Sequence, residues 1–427
     1  MNLKKVTALG LAVVMTMTMA AGCGKESKTE EKGEGGKTVL KILRNTPQEN
    51  EVAFSKEMVK EFEEKYPEID VDLQYMAYDD YYSTLQTKLA SGDAPDIFYA
   101  ETAYLPKYVE NEYLDDISDL DVLKKIPDES KGNLMLDGKV YLLGTDTNSC
   151  LATYNKDVFQ EAGIEKVPET LEEFDAVCEK LKANGTAPIA NGFKESWTIS
   201  ANLQADYVPG VLIKDENAII DVCSGDTTFS DSKLWKEEFQ RFFDRYQYSN
   251  DDPFGTTWND ACTDLATGEA GMIVGGSWAV INTIAFNEDV NLGVFPMPLS
   301  NNAEDTKVWV GSPTSGSCIY KDSKNKEAAR KFLEFENSLE IQNKKQETIP
   351  SLSLIQGVEI KDCEAFTELQ EMFENKEKAV YQGSIDHNFP NQPRKIFERL
   401  VSEALVNNDL DVDKLCQKLD EEFAQIQ

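Results

Sequence analysis

Histidine is almost missing from this chain: His387 is the single one in 427 residues. A Ser-His-Asp or Cys-His mechanism would have to be built on that one imidazole, and no G-x-S-x-G nucleophile turn accompanies it. Cysteines are few and scattered, with none at C-x-x-C spacing, so neither a zinc cage nor a disulfide framework is indicated. Cys150, Cys178, Cys223, Cys262, Cys318, Cys363 and Cys416 read as small buried hydrophobes, with one bridged pair left open. Basic residues are scarce: 43 against 77 acidic ones give a formal net charge of −34. A surface of that sign repels phosphate backbones and anionic headgroups, which excludes nucleic acid as a partner. Past the first two dozen residues no apolar run approaches the roughly 18 needed to span a bilayer. No cofactor motif and no metal-ligand cluster is legible. Chance carboxylate pairs are unavoidable with this many acids, so a secreted glycosidase or lyase remains an alternative.

The N-terminus is the first positive signal. Lys4 and Lys5 precede an uncharged stretch from Val6 to Gly24, which has the layout of a secretory signal. It closes on Ala20-Ala21-Gly22-Cys23, which resembles a bacterial lipobox, with Ala20 standing where Leu is preferred. Residues 1–22 are thus expected to be a signal peptide, with Cys23 carrying lipid such as palmitate. Gly24 to Lys37 is dense in Glu, Lys and Gly and cannot offset its own ordering entropy, so 23–37 reads as a flexible tether. The roughly 390 residues that follow exceed what one core serves, and two lobes are expected.

Val39 to Leu43 reads as a strand, and Met58, Val59, Phe62 and Tyr66 recur at helical spacing until Pro67. Ile69, Val71, Leu73 and Tyr75 alternate with polar residues as a half-wet strand does. Tyr82, Leu85 and Leu89 mark a second helix and Ile97–Ala100 a third strand. This alternation predicts an α/β lobe with a largely parallel sheet, whose ligands sit beyond the carboxyl ends of its strands. Further on, helices are expected around 171–181, 234–246, 278–286 and 325–335. Strands are expected at 270–274 and 291–294, and two helices between 394 and 426.

Several stretches together resemble the extracellular solute-binding protein family 1, the sugar-binding lipoproteins of bacterial ATP-driven (ABC) importers. They are Phe62–Val71 (FEEKYPEIDV), Leu85–Phe98 (LQTKLASGDAPDIF), Leu136–Tyr141, Tyr154–Phe159 (YNKDVF), Ala162–Ile164, Pro168–Phe174 and Glu269–Met272 leading to Gly276-Ser277-Trp278. The resemblance implies a two-lobed, type II periplasmic-binding-protein-like fold with the ligand held in a cleft and the lobes joined by crossing segments. By that likeness one lobe is 38–148 plus 305–349 and the other 149–304 plus 350–427. It also implies a monomeric, non-enzymatic binder at the outer face of the cytoplasmic membrane. That binder would deliver a sugar or short oligosaccharide to membrane permease subunits. A peptide or polyamine on the same fold stays open as the alternative guest.

A sugar presents apolar C–H faces and a rim of hydroxyls, so its site needs aromatic plates and planar hydrogen-bonding groups. Trp278 follows Gly275-Gly276-Ser277 at a strand-to-helix turn, where the family's tryptophan commonly stacks on a ring. One such stack over ~80 Å² contributes roughly 2 kcal/mol, against about 8 for micromolar capture, so further contacts are required. Trp197 is the expected plate on the second lobe and Trp309, near the return crossing, a third. Glu101 and Thr102 follow the third strand, and Thr46 and Gln48 follow the first. Asp146 and Asn148 precede the first crossing. His387 and Phe389 belong to a late loop that relatives bring over the cleft. Tyr78, Tyr81 and Tyr82 form an aromatic helix face expected to serve packing or the rim.

Overall fold

The computed structural model describes residues 36–45, 49–76, 78–311, 313–360, 363–375, 377–381 and 389–426. The expected alternation opens it: strand β1 (Thr38–Asn45), helix α1 (Glu49–Lys65), strand β2 (Ile69–Met76), helix α2 (Tyr78–Ser91) and strand β3 (Ile97–Glu101). The second unit holds β4 (Cys150–Asn155), α3 (Leu171–Ala183), β5 (Ala187–Ile189), α4 (Trp197–Tyr207), α5 (Lys233–Tyr246), β6 (Ala270–Gly276), α6 (Trp278–Ile284) and β7 (Leu292–Phe295). The chain then returns for β8 (Ser315–Ile319), α7 (Lys326–Glu336) and α8 (Leu339–Gln346), and ends on α9 (Asn391–Val406) and α10 (Val412–Phe423). Local chemistry fixes the boundaries. Thr170 caps α3 by accepting from the Glu173 amide, and the helix stops just before Gly185, whose φ of 83° suits glycine.

The first sheet has the order β8-β3-β1-β2, parallel except for the antiparallel edge strand β8. The second runs β7-β4-β6-β5, and only β5 and β6 are parallel in it. Each sheet has its own interior. Leu40, Ile42, Phe62, Phe98, Phe332 and Leu333 fill the first. The second sheet separates two clusters: Met272 and Val274 face one and Ile273 the other. All seven residues of β6 are buried for that reason, since both of its faces are covered. Two of the three tyrosines on that face of α2 are packing: Tyr81 is fully buried with its hydroxyl on the Leu43 and Tyr99 carbonyls, and Tyr82 stacks on Tyr104 at 4.5 Å, while the Tyr78 side chain lies outside what is described.

Two boundaries differ from the expected ones. Val308 and Val310 pack in the cluster around Ile273, so the start of 305–349 sides with the second sheet until Ser315 joins the first. Leu354, Ile355 and Val358 conversely pack against the first core, so the passage placed at 350 is completed only near Ile360 and Cys363. Hydrogen bonding explains the delay: Leu352 and Ser353 pair with Thr147 and Asp146, and the Leu354 amide donates to the Thr145 carbonyl.

The seven cysteines among the described residues are all free, and all but Cys223 are buried. Burial pushes the Cys262 and Cys416 thiols up to about 12. The second lobe also encloses ionic groups. Arg245 bonds Asp206 and Asn202, and Arg241 bonds Glu238 at 2.7 Å. Burial first, then the neighbouring Asp206, pushes the Glu238 carboxyl up to about 8 against the pull of Arg241 and Arg245. The folded chain therefore keeps a proton there that the unfolded chain has released, and stability falls as pH rises through that window. Melting temperatures recorded between about pH 5 and about pH 8 should decline, and Glu238→Gln should flatten the decline; an unchanged slope in the variant would dissociate it from this carboxyl.

Candidate solute-binding site

Strand β6 delivers Trp278 to the space between the sheets. The strand ends at Gly276, and the indole folds back over that residue so closely that a Cβ on Gly276 would stand 2.1 Å from carbons of the six-membered ring. Glycine is required here for space rather than for a special φ. Trp278 stays half-buried, its ring 6.1 Å from Trp197, which in turn lies 5.2 Å from Trp258. Trp258 is buried, whereas Trp197, the first residue of α4, is 36 % exposed. Trp197 thus lies between the buried Trp258 and the half-buried Trp278.

Trp278 also lines a cavity of about 450 Å³. The carboxyl ends of β1 and β2, the segment 143–148, the start of β8, the helices α6 and α8 and the segment 349–352 enclose it. Its charges come largely in pairs. Arg44 meets Glu336 at 2.8 Å, and Lys345 meets Asp146 at 2.6 Å while the Ser351 hydroxyl donates to the same carboxylate. Burial holds the Glu51 carboxyl above the usual range, opposed by Lys345. Four lining side chains carry buried polar atoms with no hydrogen-bond partner among the described residues: Arg44 Nε, Tyr75 OH, Asn148 Oδ1 and Gln342 Oε1. That set includes donors and acceptors, so its unmet capacity has no single polarity.

Of the residues singled out from the sequence, Trp278, Asp146 and Asn148 come together on this cavity, and Trp197 stands beside Trp278. Glu101 lies outside the lining and pairs with Arg394 of α9 at 3.3 Å. Arg394 leads on to Glu398, which accepts from Ser196 and Ser200 next to Trp197. Three expectations are corrected. Thr102 is 3 % exposed, and its hydroxyl donates to the Thr314 carbonyl. Trp309 is 2 % exposed and packs in the second-lobe core, so it offers no ring face. Phe389 stacks on Phe397 at 4.9 Å inside the same core. Thr46, Gln48, His387 and Cys23 lie outside the described residues. Arg44, Glu51 and Lys345 escaped the sequence reading. Arg44 left one trace, a charge at the inner end of a core strand, while Glu51 and Lys345 occupy ordinary polar helix positions.

Residues 46–342 match the family model for the bacterial extracellular solute-binding protein. This chain belongs to that family. An ABC transporter extracellular-binding protein of Pyrococcus horikoshii is 26 % identical to this solute-binding protein over 299 residues, 67 % of this chain and 65 % of the relative. The multiple sugar-binding protein of Streptococcus mutans is 25 % identical over 362 residues, 83 % of each. Among solved structures, the solute-binding protein RafE in complex with raffinose superposes with a TM-score of 0.76 at 20 % identity, covering 91 % of this chain and 99 % of that one. Among the described residues no group of three metal-ligating side chains occurs, and no helix is long and apolar enough to cross a membrane.

The Gly276 contact gives this solute-binding protein a sharp test. Gly276→Ala should displace the Trp278 ring, shift the intrinsic tryptophan fluorescence and weaken ligand binding by about tenfold or more while the fold persists by circular dichroism; fluorescence and affinity both unchanged would mean that the ring does not rest there.

Proposed function

We propose that the protein captures a sugar or short oligosaccharide outside the cytoplasm and hands it, chemically unchanged, to the permease of an ABC importer. One observation carries this reading: a half-buried indole, held over a glycine, forms one wall of a cavity lined by mixed polar groups. About 450 Å³ falls within the roughly 300–1,000 Å³ of sites that enclose small molecules. An indole face suits the C–H face of a pyranose, and unmet donors and acceptors of both kinds suit hydroxyls, which do both. The sugar-binding relatives support the same class of guest. Binding would draw the lobes together because the guest contacts both, and occupancy then shifts the population toward the closed form that a permease recognises by shape.

A panel of sugars in a thermal-shift assay tests the reading. At 1 mM, a ligand of ~10 μM affinity adds roughly 2.7 kcal/mol to stability. Trp278→Ala is expected to abolish that shift without unfolding the protein. A shift that survives the substitution removes Trp278 from the site, and turnover of any oligosaccharide in the panel would contradict a purely binding role.

The protein would act as a monomer, held at the outer face of the membrane by lipid on Cys23 and spaced from it by the tether. Expressed in a bacterium with lipoprotein processing, the wild type should fractionate with membranes and Cys23→Ser should not. Identical fractionation of the two would exclude a lipid anchor at Cys23.

A further inference from the structure

Away from the crossing segments, a second contact spans the two cores. Glu101 ends β3, whose Phe98 and Ala100 are buried in the first core. Arg394 lies in the first turn of α9, whose Phe397, Leu400 and Val401 are buried in the second. The guanidinium reaches the carboxylate at 3.3 Å. The two side chains are 29 % and 18 % exposed, so the pair is partly withdrawn from water and bulk salt screens it less than an open surface pair. Arg394 is also held from behind. Its Nε lies 3.9 Å from the Glu398 carboxylate one turn on, and Glu398, itself 8 % exposed, accepts from the Ser200 hydroxyl at 2.8 Å and the Ser196 hydroxyl at 3.4 Å. Ser200 belongs to α4 and Ser196 immediately precedes it, so the arginine is tied to the helix that begins with Trp197.

We propose that Glu101 and Arg394 form a clasp between the lobes, biasing the protein toward its closed arrangement before any guest arrives. The crossing segments meet where the Gly311 amide donates to the Asn148 carbonyl, and they act as the hinge. A contact at the hinge tolerates rotation, whereas one on the lobes beyond it must break when they part. Neither Glu101 nor Arg394 lines the cavity, so the clasp acts on the position of the lobes and leaves the chemistry of the cavity unaltered. A partly sheltered pair of this kind biases the closed-to-open ratio by about two- to fivefold. Guests then bind more tightly, in proportion to the fraction of protein already competent to hold them, and leave more slowly because the pair has to break first. Through Glu398 the same arginine holds the start of α4, so closure and the placement of the Trp197 ring are set by one side chain. The clasp serves any guest and does not depend on its being a sugar.

Small-angle X-ray scattering and acrylamide quenching of tryptophan fluorescence, both on the purified protein with no solute added, test the clasp. Trp278 lines the space between the sheets with Trp197 beside it, so parting the lobes raises the quenching constant as well as the radius of gyration. Glu101→Gln and Arg394→Gln should each raise both quantities, and Arg394→Lys, which keeps the charge, should stay close to wild type. The double Gln variant should be no more open than Arg394→Gln alone, because the two substitutions remove one shared contact. Sodium chloride at about 1 M should open the wild type and leave Glu101→Gln unmoved. Circular dichroism checks each fold; if Arg394→Gln does not fold, Glu101→Gln and the salt series carry the test. Wild-type scattering and quenching in Glu101→Gln would overturn the clasp. So would additive opening in the double variant, since each residue would then act through a different partner.

Discussion

The structure depends on how closely the segments joining the two sheets approach one another. The Gly311 amide donates to the Asn148 carbonyl at 2.8 Å, and a Cβ on Gly311 would stand 2.6 Å from that oxygen. Gly144 and Gly316 lie equally tight against Ser315 and Leu143. Any side chain at these positions would wedge the segments apart. Their contact sets the separation of the lobes and hence the depth of the space between them. Asn148 sits at the centre of this arrangement, its backbone committed to the crossing and its Oδ1 left over.

On that base the site is assembled from parts with different mechanical backing. Trp278 is pinned by Gly276 below and by Trp197 alongside. The charged wall hangs on α7 and α8, helices of the first lobe that reach the crossing through Lys345 and Asp146. Glu101 and Arg394 join the lobes at a separate point, so a relative movement of the sheets would have to break or remake that pair. Plates and charges belong to different lobes, which is the division a closing cleft uses to sense its contents.

Much of the fold was legible because periodicity is local. The strand and helix alternation from Val39 to Ala100 follows from the spacing of Leu, Val, Ile and Phe, and the end of α1 from Pro67. The Gly-Gly-Ser-Trp turn disclosed Trp278 because the glycines announce a close approach. Trp309 and Phe389 misled for a physical reason: an aromatic beside a loop signal looks the same in sequence whether its ring meets solvent or core, and burial is decided by distant elements. Thr102 failed similarly, since its partner Thr314 is more than two hundred residues away. Arg44, Glu51 and Lys345 meet only in three dimensions, and no short-range pattern couples them.

The seven thiols of the described residues bear on how the protein meets its redox surroundings. None is joined to another, six are buried, and burial holds them in the protonated form that neither attacks a disulfide nor oxidises readily. Among the described residues no thiol pair contributes a cross-link to the stability of the fold. Cys223 is the one of these seven least sheltered from the redox potential of the surroundings.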